Sequence, residues 1–326
     1  MAAGTPVVVE RLLLVVLLAA AVAAPEPVIR ADFPDPFLLP VGSRTLAFAT
    51  NHGDTNVQVA ISADLKDWRR LPDALPTLPA WARRGFTWAP EVIAVDGGYV
   101  LYFTARDEKS GLQCIGAATA VDPRGPYTPQ GTAPLVCDTA RGGSIDPSPF
   151  RDADGRLYLY VKNDGNHPRF NLPTEIVAQP LSADGLALTG RPVALVRNDA
   201  DWEGRVVEAP TMVRRGRAYV LLFSANDYGW PRAATLSPYA IGWARCAGPL
   251  GPCSDAPGNP LLASRDAAAG CLSGPGHAAV LQRPEGDVIA FHAWSATARC
   301  RPDREARFLH LMPLRWDGDT PVVGAE

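Results

Sequence analysis

The stretch Ser144-Ile145-Asp146-Pro147-Ser148-Pro149-Phe150 begins a unit that recurs along the chain. Each unit starts with a short acidic or polar opener beside proline or glycine, followed by a strand, a turn, an aromatic strand and a third strand. Successive openers lie about 56, 55, 62 and 69 residues apart, close to the length of a four-stranded propeller blade with its loops. Five units predict a five-bladed β-propeller. The openers are Asp35-Pro36, Pro90-Glu91, Asp146-Pro147, Glu208-Ala209-Pro210 and Gly276-His277.

The hydrophobic pattern between the openers is typical of strands. Helical periodicity is scarce, whereas apolar runs such as Tyr99-Val100-Leu101-Tyr102-Phe103 recur between clusters of glycine, proline, aspartate and asparagine. Turn sequences such as Asp96-Gly97-Gly98 separate many of these runs, since glycine supplies the positive φ of a tight hairpin. The chain is therefore predicted to be all-β. No linker or low-complexity tract divides residues 25–326, which we expect to form one domain.

The openers are expected to occupy equivalent positions at the starts of the innermost strands. Those strands run in parallel around a central axis, so equivalent residues meet at one end of the channel. An Asp-Pro or Glu-Ala-Pro sequence is by itself ordinary turn chemistry. Its recurrence with carboxylates indicates that Asp35, Asp146 and Glu208 form one acidic site. Glycosidic hydrolysis needs one acid to protonate the leaving oxygen and one carboxylate to activate water or attack the sugar.

The first residues predict export from the cell. Arg11 leads into the apolar run Leu12–Ala23, whose 12 residues are fewer than the roughly 18 that a membrane-spanning helix needs. The small residues Ala21-Val22-Ala23 fit a cleavage site, so residues 1–24 are predicted to be a secretory signal peptide. An uncleaved anchor is the alternative. After cleavage we expect a secreted, extracellular or periplasmic protein without membrane contact.

The cysteine content agrees with an oxidising compartment. Six cysteines without metal-binding spacing favour disulfides over a catalytic thiol, although they allow 15 connectivities. Pairing of sequence neighbours is our prediction, because each pair would close a short loop. The predicted pairs are Cys114 with Cys137, Cys246 with Cys253, and Cys271 with Cys300.

Four of the motifs resemble the successive blade motifs of glycoside hydrolase family 43. The resemblance spans residues 27 to 320 and is completed by Gly274-Pro275-Gly276-His277 and Leu314-Arg315-Trp316-Asp317-Gly318. It implies a five-bladed propeller that inverts configuration, like the family's β-xylosidases, α-L-arabinofuranosidases and arabinanases. The four motifs are Phe33-Pro34-Asp35-Pro36, Trp88-Ala89-Pro90-Glu91, Ser144-Ile145-Asp146-Pro147-Ser148-Pro149-Phe150 and Val207-Glu208-Ala209-Pro210-Thr211-Met212.

The resemblance also implies a role for each carboxylate. Asp35 would be the general base, Glu208 the general acid, and Asp146 the residue that orients the acid and tunes its pKa. Asp32 competes for the first role, but only Asp35 directly precedes proline, so we expect Asp32 to make a loop contact. Inversion predicts that the base and acid carboxyls lie roughly 6.5–9.5 Å apart, with a water between base and sugar.

Other residues are predicted around this site. His277 would lie near the central channel, where related enzymes hold a histidine that contacts a calcium ion through water or hydrogen-bonds the catalytic end. Such calcium would be structural, and no cofactor is expected for the chemistry. Arg304, in Asp303-Arg304-Glu305, resembles a family motif whose arginine approaches substrate, while a surface ion pair is the alternative. Aromatic rings bind the apolar faces of sugars, so the predicted substrate-binding residues are Trp88 above all, with Phe86, Trp230, Glu91 and Arg304.

The expected substrate is a neutral carbohydrate. The net charge of −3 gives no basis for capture of nucleic acid. The chain ends soon after the fifth unit, without a trailing β-sandwich, which favours an exo-acting α-L-arabinofuranosidase over a β-xylosidase or an endo-arabinanase. A fructan- or sucrose-type hydrolase would need an Asn-Asp-Pro-Asn-Gly opener that this sequence lacks. A propeller that binds glycans without cleaving them is the alternative of another class. A monomer is expected.

Overall fold

The computed structural model describes residues 1, 25–231, 236–266, 268 and 270–324. Apart from Met1, the predicted signal peptide lies outside this range. Within it, no helix has the length and apolar character needed to cross a membrane.

The described strands form five four-stranded antiparallel sheets, each with its strands in chain order. Blade I comprises β1 (Phe37–Val41), β2 (Arg44–Ala49), β3 (Gln58–Ser62) and β4 (Arg69–Arg70). Blade II comprises β5 (Ala82–Val95), β6 (Gly98–Asp107), β7 (Gln113–Ala120) and β8 (Thr128–Gln130). Blade III comprises β9 (Ser144–Arg151), β10 (Leu157–Asn163), β11 (Glu175–Pro180) and β12 (Val193–Arg197). Blade IV comprises β13 (Val207–Arg215), β14 (Ala218–Ala225), β15 (Ala240–Cys246) and β16 (Cys253–Asp255). Blade V comprises β17 (Gly276–Leu281), β18 (Asp287–Ala296), β19 (Pro302–Asp317) and β20 (Thr320–Val323). Short 3₁₀ helices span Thr139–Arg141 and Asp201–Glu203.

The five sheets are arranged in a ring. The first strand of each blade contacts the first strands of both neighbouring blades, in the cyclic order β1, β5, β9, β13, β17 and back to β1. These five strands therefore surround a central axis, and the predicted five-bladed β-propeller is confirmed.

Hydrophobic clusters fill the five interfaces between blades. In β6, Leu101 and Phe103 pack against blade I, whereas Val100 and Tyr102 pack against blade III. Side chains alternate between the two faces of a strand, so a strand inside a propeller blade is buried on both faces. This explains why the second strands are nearly continuous apolar runs.

One residue in each of the five repeated motifs, within or just before the inner strand, has a positive φ. These residues are Asp35, Ala89, Asp146, Ala209 and His277, with φ of 56°, 47°, 56°, 53° and 53°. In blades II to V the ladder register shifts at this point, which marks a β-bulge. Proline follows the residue in four blades, and a bulge tolerates proline because the missing N–H is not needed for the ladder.

Each of these residues also bonds to the preceding blade through its backbone N–H. Ala89 donates to Thr50 Oγ1 at 2.9 Å, and Asp146 donates to Thr104 Oγ1 at 3.1 Å. The remaining acceptors are Asp146 Oδ2 for Ala209 (2.9 Å), Ser224 Oγ for His277 (2.8 Å) and His292 Nδ1 for Asp35 (3.0 Å).

The predicted equivalence of the openers is wrong for Glu91 and Glu208. The bulge residues of their blades are Ala89 and Ala209, so Glu91 stands two positions after the equivalent site and Glu208 one position before it. Adjacent strand residues point to opposite faces unless a bulge intervenes. Beside its bulge, Glu208 nevertheless lines the same cavity as Asp35 and Asp146, whereas Glu91 does not, and the period of the repeat alone did not reveal this.

Two further features tie the chain together. The segment before blade I pairs with β19, where Val28 N–H donates to Leu309 O and Phe33 N–H to Arg307 O, each at 2.8 Å.

Three disulfides join the predicted cysteine pairs, with Cα–Cα distances of 4.7 Å (Cys114–Cys137), 4.0 Å (Cys246–Cys253) and 5.2 Å (Cys271–Cys300). The predicted connectivity is confirmed.

Candidate active site

A cavity of about 430 Å³ lies at the end of the axis where the inner strands begin. Its wall includes the three predicted carboxylates, Asp35, Asp146 and Glu208, which come from three different blades. Three other predicted residues, Trp88, Trp230 and His277, also line it. The remaining lining residues are Thr50, Ile145, Lys162, Asp164, Asn166, His167, Pro168, Tyr228, Gly229, Tyr239, Trp294, Glu305 and Arg307.

Asp35 lies among cationic and hydrogen-bonding groups. Its Oδ1 accepts a bond from Arg307 Nη1 at 3.2 Å, and its Oδ2 accepts one from the Thr50 hydroxyl. Burial acts to raise the pKa of Asp35, but Arg307 and then His292 and His277 outweigh it, so the pKa lies well below its usual range. Asp35 is therefore an ionised carboxylate at neutral pH.

Two histidines support Asp35 from blade V. His292 Nδ1 accepts the Asp35 backbone N–H at 3.0 Å. This role requires an unprotonated Nδ1, in agreement with burial, which lowers the pKa of His292 to about 4. His277 Nδ1 lies 3.6 Å from Asp35 Oδ1, and burial lowers the pKa of His277 as well. The ring of His277 thus faces the Asp35 carboxylate. A calcium ion near His277 stays a prediction.

Asp146 and Glu208 have the opposite environment. Burial, followed by the charge of Glu208, raises the pKa of Asp146 well above its usual range, although Lys162 opposes the shift. Two buried carboxyl groups that repel each other cannot both ionise at low cost. The Asp146–Glu208 pair therefore retains one proton under conditions in which Asp35 has none.

Glu208 is oriented by two side chains that sequence reasoning missed. Its Oε1 accepts a bond from the Tyr239 hydroxyl at 2.8 Å, and its Oε2 lies 3.2 Å from Lys162 Nζ. Lys162 is fully buried. A Cβ at Gly276 would come within 1.8 Å of the Tyr239 ring, so that position needs glycine for Tyr239 to reach Glu208.

The position of Lys162 in the strand ladder explains why it contacts Glu208. The residues that stand beside the bulges on the second strands are Thr104 opposite Trp88, Lys162 opposite Ile145, Ser224 opposite Glu208 and His292 opposite Gly276. The threonine, serine and histidine each accept an N–H from the next blade. An ammonium group cannot accept a hydrogen bond, so Asp146 accepts the Ala209 N–H instead. Lys162 is consequently available to pair with Glu208.

Aromatic side chains form part of the cavity wall. Trp230 and Trp294 meet edge to face with ring centroids 5.2 Å apart, and Arg307 lies over the Trp294 ring at 5.4 Å. Trp294 and Arg307 are cross-strand partners in blade V. Flat apolar walls beside charged groups suit a sugar ring, which has apolar C–H faces and polar hydroxyls.

Three predicted substrate-binding residues do not line the cavity. The Phe86 ring is covered by the Arg106 guanidinium at 3.7 Å. Glu91 is buried, and desolvation followed by the Asp146 charge raises its pKa well above the usual range. Arg304 is exposed and donates to Asp303 at 3.3 Å, the surface ion pair that was the alternative interpretation.

The arginine that lines the cavity could have been found from strand alternation. Glu305 and Arg307 both line the cavity, and they lie two residues apart on β19. Arg304, three residues from Arg307, points to the other face. Asp32 makes the expected loop contact, since its Oδ1 accepts the Arg307 backbone N–H at 2.9 Å.

The fold and site together define the class of protein: a five-bladed β-propeller with a carboxylate-lined pocket at one end of its axis. The sequence profile described as glycosyl hydrolases family 43 matches residues 24–321. The chain therefore belongs to glycosyl hydrolase family 43.

Similar proteins carry several activity names. The chain is 24% identical to the extracellular exo-α-(1→5)-L-arabinofuranosidase ArbA of Cellvibrio japonicus, over 89% of this chain and 85% of that protein. It is 26% identical to a Xylanibacter ruminicola protein provisionally named a β-xylosidase, over 90% of this chain but only 49% of that longer protein. A thermostable family-43 glycoside hydrolase of known structure superimposes with a TM-score of 0.79 at 29% identity, covering 91% of this chain and 94% of that one.

Proposed function

We propose that this protein is a secreted, exo-acting, inverting glycoside hydrolase that releases single α-L-arabinofuranosyl units from plant cell-wall oligosaccharides or polysaccharides. The observation that carries the proposal is the electrostatic contrast across one cavity. Asp35 is held ionised by Arg307, while the Asp146–Glu208 pair retains a proton. A base and an acid are therefore available at the same pH, which inverting hydrolysis requires.

The reaction follows from these protonation states. Asp35 accepts a proton from a water molecule as the water oxygen bonds to the anomeric carbon. The bond from that carbon to the leaving oxygen breaks, and Glu208 donates its proton to this oxygen. Tyr239 and Lys162 hold the Glu208 carboxyl in place. Asp146 accepts the Ala209 N–H and repels a second negative charge on Glu208.

Exo action is supported by the shape of the site. Residues of all five blades stand around the cavity: Thr50 after β2 of blade I, Trp88 of blade II, Pro168 of blade III, Trp230 after β14 of blade IV, and Trp294 of blade V. A volume of about 430 Å³ lies near the lower end of small-ligand pockets. Such a pocket accommodates a terminal sugar, whereas internal cleavage requires a cleft that is open on two sides.

A β-xylosidase is the second candidate, since several relatives have xylosidase names. The three disulfides support a secreted location, because such bonds persist in oxidising compartments.

The test is hydrolysis of two chromogenic substrates, 4-nitrophenyl α-L-arabinofuranoside and 4-nitrophenyl β-D-xyloside, by the chain and by its Glu208→Gln variant. The β-D-galactofuranoside is a third arm, since a relative 27% identical, from Aspergillus niger, is named a β-D-galactofuranosidase. Proton NMR of the first product should show the inverted anomer. Release of the retained anomer would contradict the mechanism. Binding of arabino-oligosaccharides without cleavage would instead support a glycan-binding propeller.

A further inference from the structure

A second group of carboxylates lies away from the catalytic cavity. One carboxylate oxygen from each of Asp199, Glu203 and Asp255 lies within 4.8 Å of the other two. Asp199 and Glu203 belong to the connection from blade III to blade IV, and Asp255 ends β16, the outer strand of blade IV. None of the three lines the catalytic cavity. The group thus joins an inter-blade connection to the edge of the next blade.

Glu203 is the buried member of this group. Its Oε2 accepts the backbone N–H groups of Asp199 and Ala200, each at 2.9 Å. Its Oε1 is buried without any hydrogen-bond donor among the described residues, although the side chain is fully enclosed. A buried carboxylate oxygen without a partner is unfavourable. The Arg197 guanidinium interacts electrostatically with Asp199. Its hydrogen bond, however, goes to Glu175 at 2.7 Å and not to Glu203.

A divalent cation would satisfy Oε1. The Asp255 carboxyl contacts the Glu203 side chain, but two ionised carboxylates cannot donate a hydrogen bond to each other. A cation between them would give Glu203 Oε1 a partner and would also neutralise the Asp199 charge.

We propose that Asp199, Glu203 and Asp255 bind a divalent cation of the calcium type that stabilises the junction of blades III and IV. The ligands are all carboxylate oxygens, which Ca²⁺ prefers, and Ca²⁺ tolerates irregular geometry. Three oxygens within 4.8 Å of one another lie no more than about 2.8 Å from a common central point, close to the usual Ca–O distance of about 2.3–2.6 Å. Asp199 is exposed, so water can complete the shell.

The ion would stiffen the segment that precedes the general acid. Glu203 O accepts the Asn226 N–H at 2.9 Å and the Val206 N–H at 3.3 Å, and Val206 is two residues before Glu208. The ion lies outside the catalytic cavity, so it would contribute to stability and not to the chemistry. This site is separate from any ion near His277.

The test uses the full chain after removal of metals with a chelator. Tb³⁺ takes the oxygen ligands of calcium, and Trp202, within the 3₁₀ helix Asp201–Glu203, is positioned to sensitise its luminescence. We expect Tb³⁺ emission that Ca²⁺ displaces, and Ca²⁺ binding by calorimetry with a Kd of about 10⁻⁴ M. Saturating Ca²⁺ should raise the thermal unfolding midpoint by about 5 °C.

Two isosteric variants and one matched control identify the site. Glu203→Gln and Asp255→Asn should each weaken Ca²⁺ binding by about tenfold or more and abolish the thermal shift. Glu203→Gln should nevertheless fold, because the glutamine amide oxygen can still accept the backbone N–H groups of Asp199 and Ala200. Asp201→Asn removes an acid of the same 3₁₀ helix that is not one of the three ligands, and it should bind Ca²⁺ like the parent.

The proposal fails if the parent binds neither Ca²⁺ nor Tb³⁺. It also fails if the two variants bind Ca²⁺ as tightly as the parent, which would place the ion elsewhere. Mg²⁺ is the third arm, and stronger protection by Mg²⁺ than by Ca²⁺ would overturn the calcium assignment.

Discussion

Asp35 and Asp146 line the same cavity and occupy equivalent positive-φ positions in blades I and III, yet their pKa values move in opposite directions. Both are buried, so desolvation favours the neutral form of each. Arg307 and two histidines reverse this for Asp35, whereas Glu208 reinforces it for Asp146. The difference indicates that the neighbouring blades, and not the repeated motif, decide the direction in which the pKa of each aspartate moves.

The largest expected effect comes from replacing the proposed base, Asp35, or the proposed acid, Glu208. Asp35→Asn and Glu208→Gln should each lower kcat on oligosaccharides by about 10³-fold. On an aryl glycoside, whose leaving group needs little protonation, Glu208→Gln should recover much of its activity while Asp35→Asn should not. Steady-state kinetics on both substrates measure this. Equal recovery by the two variants would contradict the assignment of acid and base.

Replacing Arg307 should weaken the acidic character of Asp35. Arg307 holds the Asp35 pKa low, so Arg307→Gln raises that pKa and leaves Asp35 protonated over a wider acidic range. We expect the acidic limb of kcat/KM to move to higher pH by about 1–3 units. The exposed Arg304 supplies the control Arg304→Gln, which should leave this limb in place. A shift of the alkaline limb alone would show that Arg307 acts on a different group.

Replacing Lys162 should change the protonation of the Asp146–Glu208 pair. Lys162 lowers the pKa of Asp146, so Lys162→Met should let the acid pair keep its proton to higher pH. The alkaline limb of kcat/KM should then move upward by about one unit, with a lower kcat because Glu208 loses an orienting contact. The exposed Lys66 provides the control Lys66→Met. An unchanged alkaline limb would restrict Lys162 to a structural role.

The smallest expected effect concerns the aromatic wall. Trp230→Ala should raise KM about fivefold with little change in kcat, because it removes an apolar surface that contacts the ground state and transition state alike. Phe86→Ala is the matched comparison, since Phe86 was predicted at the site but lies under Arg106. Equal effects of both variants on KM would mean that the cavity wall extends beyond the residues around Trp230 and Trp294.

The sequence by itself determined the five-blade fold and the three carboxylates of the site. The positive-φ residue is followed by proline in four of the five blades, and each blade has a doubly buried second strand, so local patterns were sufficient to detect them. The neighbour pairing of the cysteines was equally local, because each disulfide closes a short loop.

Only the tertiary structure decided which side chains control those carboxylates. Arg307 and His292 reach Asp35 from more than 250 positions away, and no local pattern relates residues at such a separation. Lys162 looked like an ordinary strand residue, and it became significant only when the ladder showed that it replaces an acceptor found in other blades. Electrostatic interactions depend on distance in space and on burial, and the chain sets both quantities only when the ring of blades closes.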